Sequence, residues 1–157
     1  MHLYIIVRHC ATSDKPCCCC CYSWVNWFQG GSIADSIPVG PLPFIYEGNT
    51  QDYIDTYQPP QDCASTSTAK DVVFKFQPTK DISVSISLCG SGFDTILYIM
   101  DSTQSVLNDL CNDDADRDGC SSDAFLVLDA KQSVDYYIVV DGYDKSEGDF
   151  RLEVRTF

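Results

Sequence analysis

The chemistry of the chain is concentrated in one stretch, Cys111-Asn112-Asp113-Asp114-Ala115-Asp116-Arg117-Asp118-Gly119-Cys120. Six aspartates and one base, Arg117, fall between Asp109 and Asp123. Asp114, Asp116, Asp118 and Gly119 spell D-x-D-x-D-G. Calcium needs several hard oxygens converging from a flexible loop, and glycine permits the tight turn beneath them. An EF-hand would place a bidentate glutamate where Phe125 stands. The flanking segments also alternate as strands do, so a calcium loop here would be of another type. The expected ligands are Asp113, Asp114, Asp116 and Asp118. Asp94, in Gly92-Phe93-Asp94-Thr95, is a further candidate. Its plainer role is to bond loop backbone where a strand begins. The acidic stretch also reads as a solvated loop whose aspartates cap turns.

Cys111 and Cys120 bracket this loop. A bridge between them would close a short loop and stabilise the fold by about 2–3 kcal/mol through the unfolded chain. Cys63 and Cys89 would then pair by elimination, although four cysteines allow three connectivities. Zinc would favour paired C-x2-C spacings, and these four show none. Two disulfides imply an oxidising compartment. The other six of the ten cysteines are Cys10 and the run Cys17–Cys21. Adjacent thiols diverge and do not all reach one tetrahedral metal. The run is compatible with soft-metal binding helped by His9 and Cys10, or with lipidation at a membrane surface. The preferred reading is an artefact or a fragment of an upstream region. Lipidation would face the cytosol and conflict with disulfides.

Catalysis finds little support. The two histidines, His2 and His9, both precede Cys17. No Ser-His-Asp or Cys-His arrangement can therefore be built from residues beyond the tail. Gly90-Ser91-Gly92 reads as a turn and not a nucleophile elbow. No H-E-x-x-H occurs there. Paired glycosidase carboxylates need one acid held protonated by an apolar pocket, whereas these acids crowd into a polar loop. Tyr46, Tyr53, Tyr57, Tyr136, Tyr137 and Tyr143 would suit stacking on sugar or proline. Tyr136 and Tyr137 lie in a β run, where one must point inward. Tyr143, in a Gly-bounded polar turn, is the expected surface recognition residue.

Strands must position these groups. Ile82, Val84, Ile86 and Leu88 alternate with Ser83, Ser85 and Ser87, an apolar face in and a serine face out. Val72, Phe74 and Phe76 alternate similarly, and Phe150, Leu152 and Val154 alternate with Arg151, Glu153 and Arg155. Thr95–Met100, Phe125–Leu128 and Tyr136–Val140 are β-branched or aromatic runs. Pro43–Glu47 suits a first strand. Val106–Leu110 suits a short one, although Ser102–Asn108 also reads as a helical turn. About eight short strands separated by turns predict an all-β antiparallel sandwich of jelly-roll type.

The length of 157 residues allows one domain and an appendage. Composition shifts near Gly30-Gly31. Residues 1–30 form an irregular Cys-rich tail, 31–42 a linker and 43–157 the sandwich. The net charge of -13, from 23 acids and 10 bases, repels phosphate backbones and favours cations. Nucleic acid is therefore not an expected partner. No run is long enough to span a membrane. Leu3–Val7 is too short for a signal-peptide core and lacks a basic start, so a secreted chain would need a leader that this start does not supply.

Taken together, DVVFKFQP (71–78), ISVSISLCGSGFDTILYIMD (82–101), CNDDA (111–115) and YYIVVDGYDKSEGDFRLEV (136–154) resemble the bacterial pre-peptidase C-terminal domain family over Pro43–Phe157. The order and spacing of these pieces carry the resemblance. It implies a jelly-roll-type β-sandwich and a non-catalytic, extracellular accessory role beside a secreted peptidase or within a large surface protein. Some relatives bind calcium, and some bind collagen or polysaccharide. A purely structural spacer, aiding folding or secretion of a neighbouring domain, is the alternative. The tail resembles nothing comparable.

Overall fold

The computed structural model describes residues 29–64, 67–115, 120 and 122–157. Cys10, Cys17–Cys21, His2 and His9 lie outside these residues. Nine strands run through the described chain: β1 (Ile37–Pro38), β2 (Phe44–Asn49), β3 (Val72–Phe76), β4 (Ile82–Ser87), β5 (Thr95–Met100), β6 (Val106–Asn112), β7 (Phe125–Ala130), β8 (Tyr136–Gly142) and β9 (Asp149–Thr156). They form a sandwich of two sheets, ordered β1-β3-β8-β5-β6 and β2-β9-β4-β7. The chain changes sheet at every connection except β5 to β6, the alternation that a jelly-roll arrangement entails. Pairing is antiparallel apart from β1 with β3. Residues 31–42, expected as a linker, thus supply an edge strand, and Ile37 joins the core. Ser102–Asn108 forms no helical turn; Val106–Asn112 is strand β6.

The two sheets bury their faces differently, as the sequence patterns require. On β4, Val84 and Ile86 are fully buried and the serines between them are less so. They sit opposite Leu128 and Leu126 of β7. By contrast, β5 and β8 are buried at every position. A continuous apolar run signals a strand covered on both faces. One face, with Phe74, Leu97, Ile99, Ile138 and Val140, packs against Phe150, Leu152 and Val154 of the other sheet. The opposite face, with Val73, Ile96, Tyr98, Tyr137 and Val139, packs under described residues of the segment 53–71, namely Tyr57, Cys63 and Ala64. Each such side chain stabilises the fold by roughly 1.5–3 kcal/mol relative to exposure.

Tyr136 and Tyr137 are therefore both buried, each on its own face of β8. Tyr46 lies against Phe74, with ring centroids 5.0 Å apart. The Tyr57 hydroxyl accepts a hydrogen bond from the Ile33 amide at 3.0 Å. The tyrosines consequently do not form one flat face. No helix among the described residues is long and apolar enough to cross a membrane.

Candidate cation site

The site forms where the start of β5, the end of β6 and the start of β7 meet. Strands β5 and β6 pair Leu97 with Asn112. Continuing that register past β6 brings Asp113 and Asp114 across from the residues leading into β5, Asp94 among them. The positive φ of Asp109, 60°, accompanies the irregularity in this pairing between Tyr98 and Met100. Asn112 then braces the loop from inside: its carboxamide oxygen accepts from the Phe125 amide at 2.9 Å and its nitrogen donates to the Asp114 carbonyl at 3.0 Å. Thr95 does the same from β5, its hydroxyl accepting from the Ala124 amide at 2.9 Å. Asp123 completes the frame. Its carboxylate accepts from the Gly90 amide at 2.9 Å and its carbonyl from the Ala115 amide at 3.2 Å.

Within this frame one oxygen each from Asp94, Asp113 and Asp114 lie within 4.8 Å of one another. Asp94 Oδ1 and Asp113 Oδ1 are buried and have no hydrogen-bond partner among the described residues. Burial, and then the charges of Asp94 and Asp114, push the Asp113 carboxyl up to about 6. Asp94 is raised as well, by burial first and then by Asp114 and Asp123. Asp94 therefore does not spend Oδ1 on loop backbone, as its plainer reading would have it. Its backbone carbonyl instead accepts from the Tyr143 amide at 3.0 Å. Asp116 and Asp118 lie outside the described residues.

The cysteines pair differently from the expected pattern. Cys63 is bonded to Cys111 and Cys89 to Cys120, with Cα separations of 5.9 and 5.3 Å. The acidic loop is not closed on itself. Cys111 ties its near end to the segment 53–71, and Cys120 ties its far end to the turn before Asp94. Sequence proximity favoured a short Cys111–Cys120 loop, but Cys111 belongs to β6, beside Tyr98, on the face covered by that segment.

Tyr143 is 38% exposed, at the turn beside Asp94. A shallow groove of about 600 Å³ lies along Glu47, Asn49, Gly90, Gly92, Asp149 and Arg151. Phe150 at its floor is 2% exposed, so that ring offers no stacking platform.

A second acidic pair, not singled out from the sequence, is fully buried under the segment 53–71. Asp71 Oδ2 accepts from the Thr56 and Tyr57 amides at 2.7 and 2.8 Å. Asp141 Oδ1 accepts from the Ser67 hydroxyl and the Gly142 amide, both at 2.7 Å. Burial is the main force raising both, to about 6 for Asp71 and about 7 for Asp141. An aspartate interrupting or flanking a buried apolar run, as in Asp71-Val72-Val73 and Val139-Val140-Asp141, was the available signal.

No protein-family model and no curated protein sequence matches the chain. Among solved structures, it is similar to the pre-peptidase C-terminal domain of a collagenase from Bacillus anthracis. The identity is 17% and the TM-score 0.47, over 76% of this chain and 94% of that one.

Proposed function

We propose that this chain is a non-catalytic extracellular accessory or binding module, with a calcium ion held by Asp94, Asp113 and Asp114 stabilising its loop end. The observation that carries the reading is the convergence of three carboxylates, two of which keep a buried oxygen without a donor among the described residues. Buried acceptors without partners are destabilising, and like charges side by side add to that. A divalent cation with a preference for oxygen resolves both at once. Asp116 and Asp118 are further candidate ligands from the same loop. Two disulfides support an oxidising compartment. The sequence resemblance to pre-peptidase C-terminal domains supports an accessory role beside a neighbouring peptidase domain. The lack of any histidine beyond His9 argues against triad or zincin chemistry.

The test is a melting curve with calcium and with a chelator. At a calcium concentration 100 times the dissociation constant, a native-state ligand adds about 2.7 kcal/mol. An unchanged melting temperature removes the ion from the account. For an extracellular polymer, collagen or polysaccharide, Tyr143 is the favoured contact because it is exposed beside the site. Retention on such a polymer that is lost in Tyr143→Ala supports a binding module. No retention by the unaltered chain supports the spacer.

A further inference from the structure

We propose that the segment 53–71 is a pH-operated strap, fastened over the sheet while Asp71 and Asp141 keep their protons and loosened when both carboxyls ionise.

The apolar hold of the strap is thin. Its described residues, 53–64 and 67–71, offer Tyr57, Cys63 and Ala64 to the face made by Val73, Ile96, Tyr98, Tyr137 and Val139. Ile54 is 66% exposed and takes little part. Polar fastenings therefore decide whether the strap stays down. Asp71, at the start of β3, secures the first limb: Oδ2 accepts from the Thr56 and Tyr57 amides, and its own amide donates to the Ile54 carbonyl at 3.3 Å. Asp141, on β8, secures the second limb through the Ser67 hydroxyl, which in turn accepts from the Ala69 amide at 3.1 Å. The Thr68 amide donates to the Asp144 carbonyl at 2.7 Å, so the second limb also holds the turn that presents Tyr143.

Both fastening carboxyls are 0% exposed. Asp71 Oδ1 has no partner among the described residues, and Asp141 Oδ2 meets the Tyr98 hydroxyl only at 3.4 Å. Neither carboxyl is in an ion pair among the described residues. The titratable groups that bear on them are all acids: Asp55 of the strap, Tyr98 of β5 and each carboxyl for the other. The nearby bases are engaged elsewhere. Lys70 reaches the Gln51 carbonyl and Glu147, and Lys75 of β3 pairs with Asp135. Asp35, beside Ile33, accepts from the Ser32 hydroxyl. Ionising a buried carboxyl without a counter-charge is costly, and two such charges repel. Lifting the limbs admits water to both groups and relieves that cost. The Cys63–Cys111 bond keeps the middle of the strap tethered, so the limbs can refasten.

The sign follows from linkage. Burial is the main force that raises the two carboxyls, to about 6 for Asp71 and about 7 for Asp141. The fastened state thus holds more protons than the loosened one. Its advantage is full below about pH 4 and is lost as pH rises through 6 and 7.

The experiment is amide hydrogen exchange of the full chain by NMR, in chelator, from pH 5 to 7 and corrected for the intrinsic exchange rate. Protection of the Thr56, Tyr57 and Ala69 amides is expected to fall on the order of 100-fold over this range. These amides should exchange through an opening with little urea dependence, whereas those of β4 follow global unfolding. The double variant Asp71→Asn/Asp141→Asn keeps an acceptor oxygen at each fastening and cannot ionise. With circular dichroism confirming its β fold, it is expected to hold the strap's protection level across the range. Protection that does not change with pH in the unaltered chain overturns the proposal. So does a urea dependence equal to that of β4, or the same decline in the double variant. Where that variant fails to fold, the carboxyl carbon resonances of the unaltered chain decide. Asp71 and Asp141 titrating together with the loss of protection support the strap, and titration of both near pH 4 overturns it.

Discussion

Two groups of carboxylates lie on this sandwich, and burial raises both, yet the chain treats them differently. Asp141 accepts from Ser67, Gly142 and, at 3.4 Å, the Tyr98 hydroxyl. Asp71 accepts from two consecutive amides of the segment over the sheet. These acids fasten covering backbone to a strand face. Asp71 Oδ1 is also buried without a partner among the described residues, as are Asp94 Oδ1 and Asp113 Oδ1, but the Asp94 and Asp113 side chains accept no hydrogen bond from those residues and face other carboxylates. The difference teaches that a raised carboxyl is not by itself a sign of a site. The donor inventory separates the two cases. An acid supplied with donors by its own chain is architecture, whereas acids converging without donors fit the proposed cation.

The largest effect that sharpens this contrast is expected from Asp71→Ala. It strands the Thr56 and Tyr57 amides and leaves a small void. Chemical unfolding at pH 5 should show a loss of about 3 kcal/mol, the same with calcium or chelator. A loss that calcium repairs would erase the distinction between the two groups.

Next in size is the pH dependence. The folded-state carboxyls of Asp71 and Asp113 stand at about 6 and that of Asp141 at about 7, all above the ordinary unfolded value. Between those values the native state holds more protons than the unfolded chain, so stability falls as pH rises. Their contribution is fully present below about pH 4 and is lost as pH rises through 6 and 7. Unfolding in chelator from pH 4.5 to 8 should register a decline on the order of 2 kcal/mol from the buried pair, with a smaller share from partly exposed Asp113. Calcium should flatten the shares of Asp113 and Asp94 and leave that of the buried pair. A profile rising through this window would contradict the assignment of either group.

The smallest effect is the most diagnostic, because it changes sign. In chelator at pH 7.5, Asp113→Asn removes a like charge and should stabilise the chain by about 1 kcal/mol, discounted for partial exposure. In calcium the same variant should lose most of the ion's stabilisation. Destabilisation under both conditions would recast Asp113 as an ordinary structural aspartate.

Much of the fold was legible because period-two patterns are local. The Ser83–Ser87 alternation named an outward face on β4, and Thr95–Met100 declared a strand without one. The covering segment 53–71 was not legible. It has no periodicity, and its hold on the sheet comes from Ser67 and Cys63, which meet Asp141 and Cys111, while Asp71 accepts from the Thr56 and Tyr57 amides of the segment itself. That hidden layer is why Tyr136 and Tyr137 are both buried, where the β run required only that one point inward. Among the candidate ligands, Asp113 and Asp114 were visible from composition. Asp94 was visible only as a residue, because its nearness to them follows from the β5–β6 register.

The amino-acid order by itself determined a two-layer β protein, an acidic loop and the four cysteines of the sandwich, since alternation, charge density and residue type need no long-range information. Only the tertiary structure decided which cysteines meet and which aspartates share a site. Those choices depend on strand register and on the far side of a sheet, where residues distant in the chain come within a few ångströms.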